Sequence, residues 1–542
     1  MQETITDMRL VPSALDVVLA AERRLVPIHE ATLKGDSEVQ KFYAGSVVLV
    51  TGGSGFLGKQ LIEKLFRTCD VKKLYILLRA KKGKSIGERL DYILRNPVYD
   101  TLRETRPWFA DRIEAVEGDI ASYRLGVADH MWDRLVDEVT VVFHGAATIN
   151  FADPLQLATN INVKGTLEML EFGKACKNLR SYVHISTAYN QALKNNVSCD
   201  ILEEFPKAPL SPTTLVDLAN RTETKVLDEM FHKYLAPEYP NTYAYTKAVA
   251  EEAVRTMAGD LPICVVRPSI VIPAYTEPSA GWVDKNSIYG ASGIIMGLGL
   301  GVIHTLISDP DIKIDIIPVD IVNNAVIVAG WETARRREQG ETDTKIYTVG
   351  SSNRNHITWR FLTNVFDNEG RKHLSSQAVW YAFAVQTKSK HLYLALAWLL
   401  HFIPGYIVDG VLMIRGKKPQ VSKIYRLLNT MATIFSFFTL RGWNFKDDNL
   451  LQLYKSLSKT DQQIFNMDIA TLDMKEVIYL WHIGLRRFYL KDKLNDQEKS
   501  MKKQFFLRII TYTFIPIYLY FLFKISCFVF YGLYYLIFSY LI

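Results

Sequence analysis

The stretch Ser46-Val47-Val48-Leu49-Val50-Thr51-Gly52-Gly53-Ser54-Gly55-Phe56-Leu57-Gly58-Lys59 decides how the rest of the chain is read. A short β-branched run enters three glycines spaced Gly52-x-x-Gly55-x-x-Gly58 and leads into the helical stretch Gly58–Thr68. A glycine pattern alone is weak, and a plain tight turn is the competing reading. Between a strand and a helix it has the context of a phosphate-binding turn. Glycines let the backbone turn sharply against a pyrophosphate, and the helix N-terminus offers it free N–H groups and partial positive charge. Gly52, Gly53, Ser54, Gly55, Phe56, Leu57 and Gly58 are the expected dinucleotide cradle.

Outward from this point the pattern repeats. Further strands are expected at Leu74–Leu78, Ile113–Glu117, Thr140–Phe143, Tyr182–Ile185 and Ile263–Val266, with helices such as Gly165–Cys176 between them and a last strand-like segment at Ile346–Val349. Near-continuous apolar strands alternating with helices predict an α/β fold: a Rossmann-type, doubly wound parallel sheet covered on both faces. The second strand ends Leu77-Leu78-Arg79-Ala80-Lys81-Lys82, where a site for NAD usually places an acid on the ribose 2′-hydroxyl. Arg79 and Lys82 suit a 2′-phosphate instead, so NADPH is the expected cofactor. Asp119 and Ile120 are expected near the adenine. Ala146 and Ala147, in His144-Gly145-Ala146-Ala147, leave room for close passage of the cofactor, and Asn162 is expected to hold backbone one helix later.

Tyr243-Ala244-Tyr245-Thr246-Lys247 carries Tyr-x-x-x-Lys between the fifth and sixth strands. Residues four apart share a helix face. Lys247 is therefore expected to lower the pKa of the Tyr243 hydroxyl, ordinarily about 10, so that Tyr243 can give a proton to a carbonyl oxygen. Tyr245 faces elsewhere and packs. The fifth strand ends Val183-His184-Ile185-Ser186-Thr187. Either Ser186 or Thr187 can bind the same oxygen, and spacing does not choose between them; His184 reads as structural. The long gap from Ser186 to Tyr243 indicates an insertion over Asn190–Tyr239. Pro268 and Ser269, after the sixth strand, are candidates to hold the nicotinamide amide. Gly281-Trp282 is a candidate lining of the substrate site, and Asp320 a helix cap.

The 542 residues allow several domains: an extension at 1–40, a reductase domain at 41–356, a helical domain at 357–500 and a tail at 501–542. An apolar content of 49% against 22% charged residues excludes a disordered chain. A net charge of +7, with its lysines clustered, argues against a nucleic-acid partner. Five scattered cysteines without a CxxC pair predict neither a metal site nor disulfides, and Met1–Leu10 reads as no secretory signal. Phe505–Phe523 and Ile525–Ile542 are apolar pieces split by Lys524, expected as one span with one interfacial piece or as a tight hairpin. Lys502 and Lys503 before them predict a cytosolic catalytic part. His391–Ile414, interrupted by Pro404 and Asp409, is expected as a buried or membrane-skimming helix. Oligomeric state is left open.

Taken together, Val48–Gly58, Val183–Tyr189, Tyr243…Thr246-Lys247 and Arg267-Pro268-Ser269-Ile270-Val271 resemble the extended short-chain dehydrogenase/reductase superfamily, and within it the fatty acyl-CoA reductases. Gly416-x-Lys418-Pro419, Trp443-Asn444-Phe445 and Trp481…Gly484–Leu490 resemble that family's C-terminal male-sterility domain, so the likeness covers about residues 40–495. Gly145, where alanine is more usual, and Asn190-Gln191 depart from it. The resemblance implies reduction of a long-chain acyl-CoA by NADPH, through an aldehyde, to a fatty alcohol for wax or ether lipids, with CoA released. It also implies a tail in the membrane of the endoplasmic reticulum or peroxisome; Tyr540-Leu541-Ile542 is not a peroxisomal tripeptide, which favours the former. Two rivals share the cofactor motifs: a reductase or epimerase of sterols or sugar nucleotides, and a membrane-tethered NADPH-binding scaffold without turnover.

Overall fold

A computed structural model of the chain describes residues 12–80, 83–206, 208–286 and 290–541. Seven strands form the central sheet: β1 (Val47–Thr51), β2 (Lys73–Leu78), β3 (Ile113–Glu117), β4 (Val141–His144), β5 (Ser181–Ile185), β6 (Ile263–Pro268) and β7 (Ile346–Val349). They lie in the order β7-β6-β5-β4-β1-β2-β3, and every neighbouring pair is parallel. β1, β4, β5, β6 and β7 are buried along their whole length, which is why they read as continuous apolar runs rather than alternating ones. The strand order reverses between β1 and β4. In open sheets of this kind the ligand crevice lies beyond the carboxyl ends at that point. Register brings Thr51 level with Leu77 on one side and His144 on the other.

The helices that position the site are α1 (Phe56–Thr68), α2 (Gly165–Ala175), α3 (Thr242–Met257), α4 (Ala291–Gly299), α5 (Val319–Glu338), α6 (Lys390–Ile414), α7 (Val421–Thr439), α8 (Met474–Gly484) and α9 (Gln497–Leu541). α1 buries charge as well as carbon. Lys59 meets Asp284 at 2.8 Å, Lys64 meets Glu277 at 2.5 Å, and Arg67 meets Glu63 and Glu277 at 2.7 and 2.5 Å. Removing one member of such a pair strands the other, at a cost of about 3–5 kcal/mol. Between β5 and α3 the insertion forms helices Pro212–Arg221 and Thr224–Met230. They pack Leu215, Ala219, Leu227 and Phe231 against Tyr245 of α3.

Four expectations are corrected here. First, strands continue past His356. Ile357–Thr358 pairs with Lys313–Ile314, Val385–Thr387 with Thr305–Ile307, and Asn444–Phe445 with Asp200–Ile201. Each is too short for its alternation to register in a sequence, yet each stitches the later chain to the earlier. Second, the tail is one continuous helix rather than two pieces. Lys524 interrupts the apolar run, but lysine is a good helix former and the helix passes through it. α9 is long and apolar enough to cross a membrane, as is α6. The two touch: Tyr518 donates its hydroxyl to the Leu399 carbonyl at 3.0 Å. Third, Asp320 caps no helix. Its carboxylate accepts the N–H groups of Tyr275, Thr276 and Glu277 at 2.7–3.0 Å and so holds a loop. Fourth, Gly281 and Trp282 are packing residues. Gly281, at φ +75°, sits so close to α8 that an added Cβ would meet the Gly484 Cα and the Leu480 carbonyl oxygen, both at 2.8 Å. Trp282 is buried and stacks on Phe56 at 5.2 Å.

Candidate active site

The crevice begins at the glycine turn. Gly52 has φ +80°, and a Cβ there would lie 2.8 Å from the Gly145 carbonyl carbon and 2.9 Å from the Ala146 nitrogen. A Cβ on Gly58 would run into the Gly52 carbonyl. The two turns that follow β1 and β4 are therefore in backbone contact, and only glycine fits. Gly55 caps α1 with no side chain, while Ser54 and Gly55 stay accessible. Bare N–H groups of a first helical turn above a side-chain-free surface fit the pyrophosphate of a dinucleotide.

Around this cradle the other expected residues are spread as follows. Arg79 is exposed just past β2, on the same edge as Thr51; Lys82 lies outside the described residues. The Asp119 carboxylate accepts the Ala121 N–H at 3.0 Å, and Ile120 is buried under Gly165. Ala146 donates its N–H to the Thr51 hydroxyl at 3.2 Å, and Ala147 is partly exposed beside it. Asn162 sits on a π-helical turn, Thr159–Lys164, that points its amide sideways. It accepts the Thr148 N–H at 2.9 Å and donates to the Thr148 carbonyl at 3.2 Å and the Thr246 hydroxyl at 3.0 Å. Asn162 thus ties the loop after β4 to α3.

α3 starts at Asn241, whose side chain accepts the Ala244 N–H at 2.9 Å. Its Lys247 is buried and donates to the Ile185 carbonyl at 2.8 Å. Burial pulls this amine down to about 8, against the opposing pull of Glu251. Tyr243 is held differently from expectation. Burial raises its hydroxyl to about 12, and the group that counters this is Thr187, through a hydrogen bond, rather than Lys247. Thr187 meets Tyr243 and also donates to the Pro268 carbonyl at 3.4 Å, while the Ser186 hydroxyl takes a long bond of 3.5 Å from Asn190. Ser269 donates its N–H to Val349 at 3.0 Å, and its side chain lies beside Asp315. Arg267 is committed elsewhere: it pairs with Glu251 at 2.6 Å and binds the Leu202 and Glu204 carbonyls, pinning the insertion.

Histidines do not compete for the acid role. His144 is pulled down to about 3 by burial, and lies between the Thr51 and Thr166 hydroxyls at 2.8 and 3.3 Å. His184 is driven well below its usual range by burial and is likewise neutral. Among the described residues no group of metal-ligating side chains comes together. Tyr243 also has aromatic surroundings that its sequence motif does not announce. Phe151 stacks on its ring at 5.6 Å and is in turn met by Phe435 and Phe438 of α7 at 5.7 and 5.6 Å. No motif marks Phe151, a loop residue, and its partners lie nearly 300 residues away.

Known proteins resemble this chain over most of its length. A family model described as male sterility protein, its NAD-binding part, matches residues 50–326, and a second with the same description, the Sterile part, matches residues 400–492. Fatty acyl-CoA reductase wat of Drosophila melanogaster is 32% identical over 491 residues, covering 90% of this chain and 92% of the relative. Fatty acyl-CoA reductase 2 of Homo sapiens is 31% identical over 488 residues, covering 88% and 91%. Among solved structures, the terminal R domain of the myxalamid PKS-NRPS pathway superposes with TM-score 0.56 at 18% identity, covering 85% of this chain and 97% of that one. The reductase domain of a nonribosomal peptide synthetase from Mycobacterium tuberculosis gives 0.54 at 20%, covering 88% and 98%. At such identities these two share the fold alone. With a nicotinamide-dinucleotide crevice built on β1 and α1 and both male-sterility regions in place, the chain belongs to the fatty acyl-CoA reductase family.

Proposed function

We propose that this protein reduces long-chain fatty acyl-CoA to the fatty alcohol with release of CoA, consuming two NADPH and two protons per alcohol. The observation that carries the reading is the hydroxyl pair of half-buried Tyr243 and buried Thr187 at the end of β5, under an aromatic cover. When bound, the dinucleotide held by Gly52–Gly58 would supply hydride to the carbonyl carbon. Tyr243, with its pKa near 12, keeps its proton at neutral pH and is poised to donate it as charge builds on the carbonyl oxygen. Thr187 offers a second hydroxyl to that oxygen. Lys247 and Asn162 fix α3 against β5 and the loop after β4, which orients Tyr243. Phe151, Phe435 and Phe438 exclude water from the aldehyde stage.

NADPH is favoured over NADH by the exposed Arg79 at the end of β2, with Lys82 beyond it. We read residues 41–356 as the reductase unit, 357–500 as its helical partner, and α9 as the membrane attachment. The lysines before its apolar part support a cytosolic catalytic face, and the endoplasmic reticulum is preferred to the peroxisome. The test uses detergent-solubilised protein with palmitoyl-CoA and NADPH, following free thiol and extracted lipid together. Two NADPH oxidised per CoA released, with alcohol as product, is the expected result. Aldehyde alone would change the product. No turnover at any chain length, with NADPH still bound, would move the reading to another carbonyl substrate or to a scaffold.

A further inference from the structure

Beyond Phe435 the chain has an internal seam. One part lies between α4, Trp359 and Trp481; the next lies between α4, α6 and α7, and the two share Ile294, Leu306 and Trp359. The lining is almost wholly hydrocarbon. Thr305, Thr439 and His401 are tied to main-chain groups, leaving the Ser308 hydroxyl and the Trp359 indole N–H unpaired. Phe435 belongs to this seam and also touches Phe151, which stacks on Tyr243. Apolar side chains are therefore in unbroken contact from the proposed acid to the space between α4 and α7.

The free volume is small, about 10 Å³ in the inner part and about 50 Å³ in the outer. The outer wall is built to yield. α7 is pinned at its two ends: Asp409 of α6 accepts the N–H groups of Gln420, Val421 and Ser422, and Thr439 donates to the Ile307 carbonyl. Between these pins no residue of α7 is fully buried. Its seam-facing side chains include Leu428, Met431 and Ala432, and methionine adapts readily to a new neighbour. The opposite faces of α6 and α7 expose Trp398, Ile407, Ile414, Ile424 and Leu427, with Arg415, Lys417, Lys418, Lys423 and Arg426 at their junction. α6 is also bonded to α9. The seam's outer wall is thus the same pair of helices that presents an apolar and basic face beside the tail.

From these observations we infer that the seam is the binding site for the hydrocarbon chain of the substrate, entered past Phe151 and Phe435 and widened by displacement of α7 side chains. This rests on the acyl-CoA reading above and adds where chain length is measured. Residues deep in the seam meet only long chains, while a short chain ends near the aromatic rings.

The experiment compares kcat/KM for octanoyl-CoA and palmitoyl-CoA in wild type, Ala432→Trp, Leu428→Trp and Met431→Ala, all as full chains in detergent. Filling the seam is expected to lower palmitoyl turnover about tenfold or more, since several buried methylenes lose their place, while octanoyl turnover stays within about twofold. Met431→Ala is expected to move the optimum to longer chains. Parallel loss at both lengths in Met431→Ala, or an unmoved ratio in all three variants, overturns the inference. Should the tryptophan variants lose octanoyl activity as well, Met431→Ala decides alone. A palmitoyl-CoA bearing a terminal diazirine gives a second readout: label within α4 or α7 supports the site, and label confined elsewhere overturns it. Wild type that turns over no acyl-CoA would sink the functional reading; wild type active on palmitoyl-CoA with an unmoved ratio would sink the seam alone.

Discussion

The dinucleotide crevice and the α6–α7 pair build function in opposite ways. At the crevice, backbone meets backbone: Gly52 against Gly145 and Ala146, Gly58 against Gly52. At α6 and α7, exposed apolar side chains of several kinds serve one surface, and the main-chain hydrogen bonds that pin α7 sit at its two ends. The first kind of site tolerates no added methyl, whereas the second tolerates any residue of similar oiliness. The difference explains why three glycines are diagnostic in a sequence and a membrane-facing helix is not.

The largest expected effect tests the chemistry at the edge of the crevice. Tyr243→Phe should cut acyl-CoA turnover by about 10²–10⁴-fold with dinucleotide affinity unchanged, measured by steady-state kinetics and by NADPH fluorescence. Thr187→Val should follow it, while Ser186→Ala should cost far less; equal losses would undo the assignment of Thr187. Gly58→Ala should abolish NADPH binding, because the new Cβ must displace the Gly52 carbonyl. Leu427→Ile on the exposed face of α7 should change nothing, and a loss there would break the comparison from the other side.

A middle-sized effect concerns pH. The Lys247 amine is lowered to about 8 by burial. Turnover should therefore fall as pH rises through about 8, as the ammonium that holds the Ile185 carbonyl loses its charge. Stability runs the other way. The folded chain releases this proton before the unfolded chain does, so wild type gains on Lys247→Met as pH climbs from about 8 towards 10.5, by at most about 3 kcal/mol, read from urea midpoints. Smallest and most specific is Arg79→Glu, which should raise the KM for NADPH and leave that for NADH nearly unchanged; an unaltered NADPH KM removes Arg79 from the cofactor reading.

These contrasts also mark what the sequence could disclose. The seven strands and their parallel sheet follow from strand–helix alternation, and the crevice from its glycines, because both signals are local. Lys59, Lys64 and Arg67 look like the solvated face of an ordinary helix. Their partners Glu277 and Asp284 lie more than 200 residues on, so nothing nearby shows that they are buried. Ser186 and Thr187 are adjacent at a strand end, where successive side chains take opposite faces, and only the position of α3 tells which face holds Tyr243. Phe151 has no motif at all. Lys524 breaks the hydropathy of α9 but not its helix, because helix propensity rather than hydropathy decides continuity there.

The contact between Gly281 and Gly484 has a consequence for how the protein is made. The loop carrying Gly281 leaves the ribosome some 200 residues before the glycine it must touch. At about 5–20 residues per second, roughly 10–40 s pass before α8 exists to receive it. During that interval Phe56, on which Trp282 stacks, is already made, but the α8 backbone that closes over Gly281 is not. A substitution at Gly484, which leaves no room for a Cβ beside Gly281, would be felt when this late contact has to close.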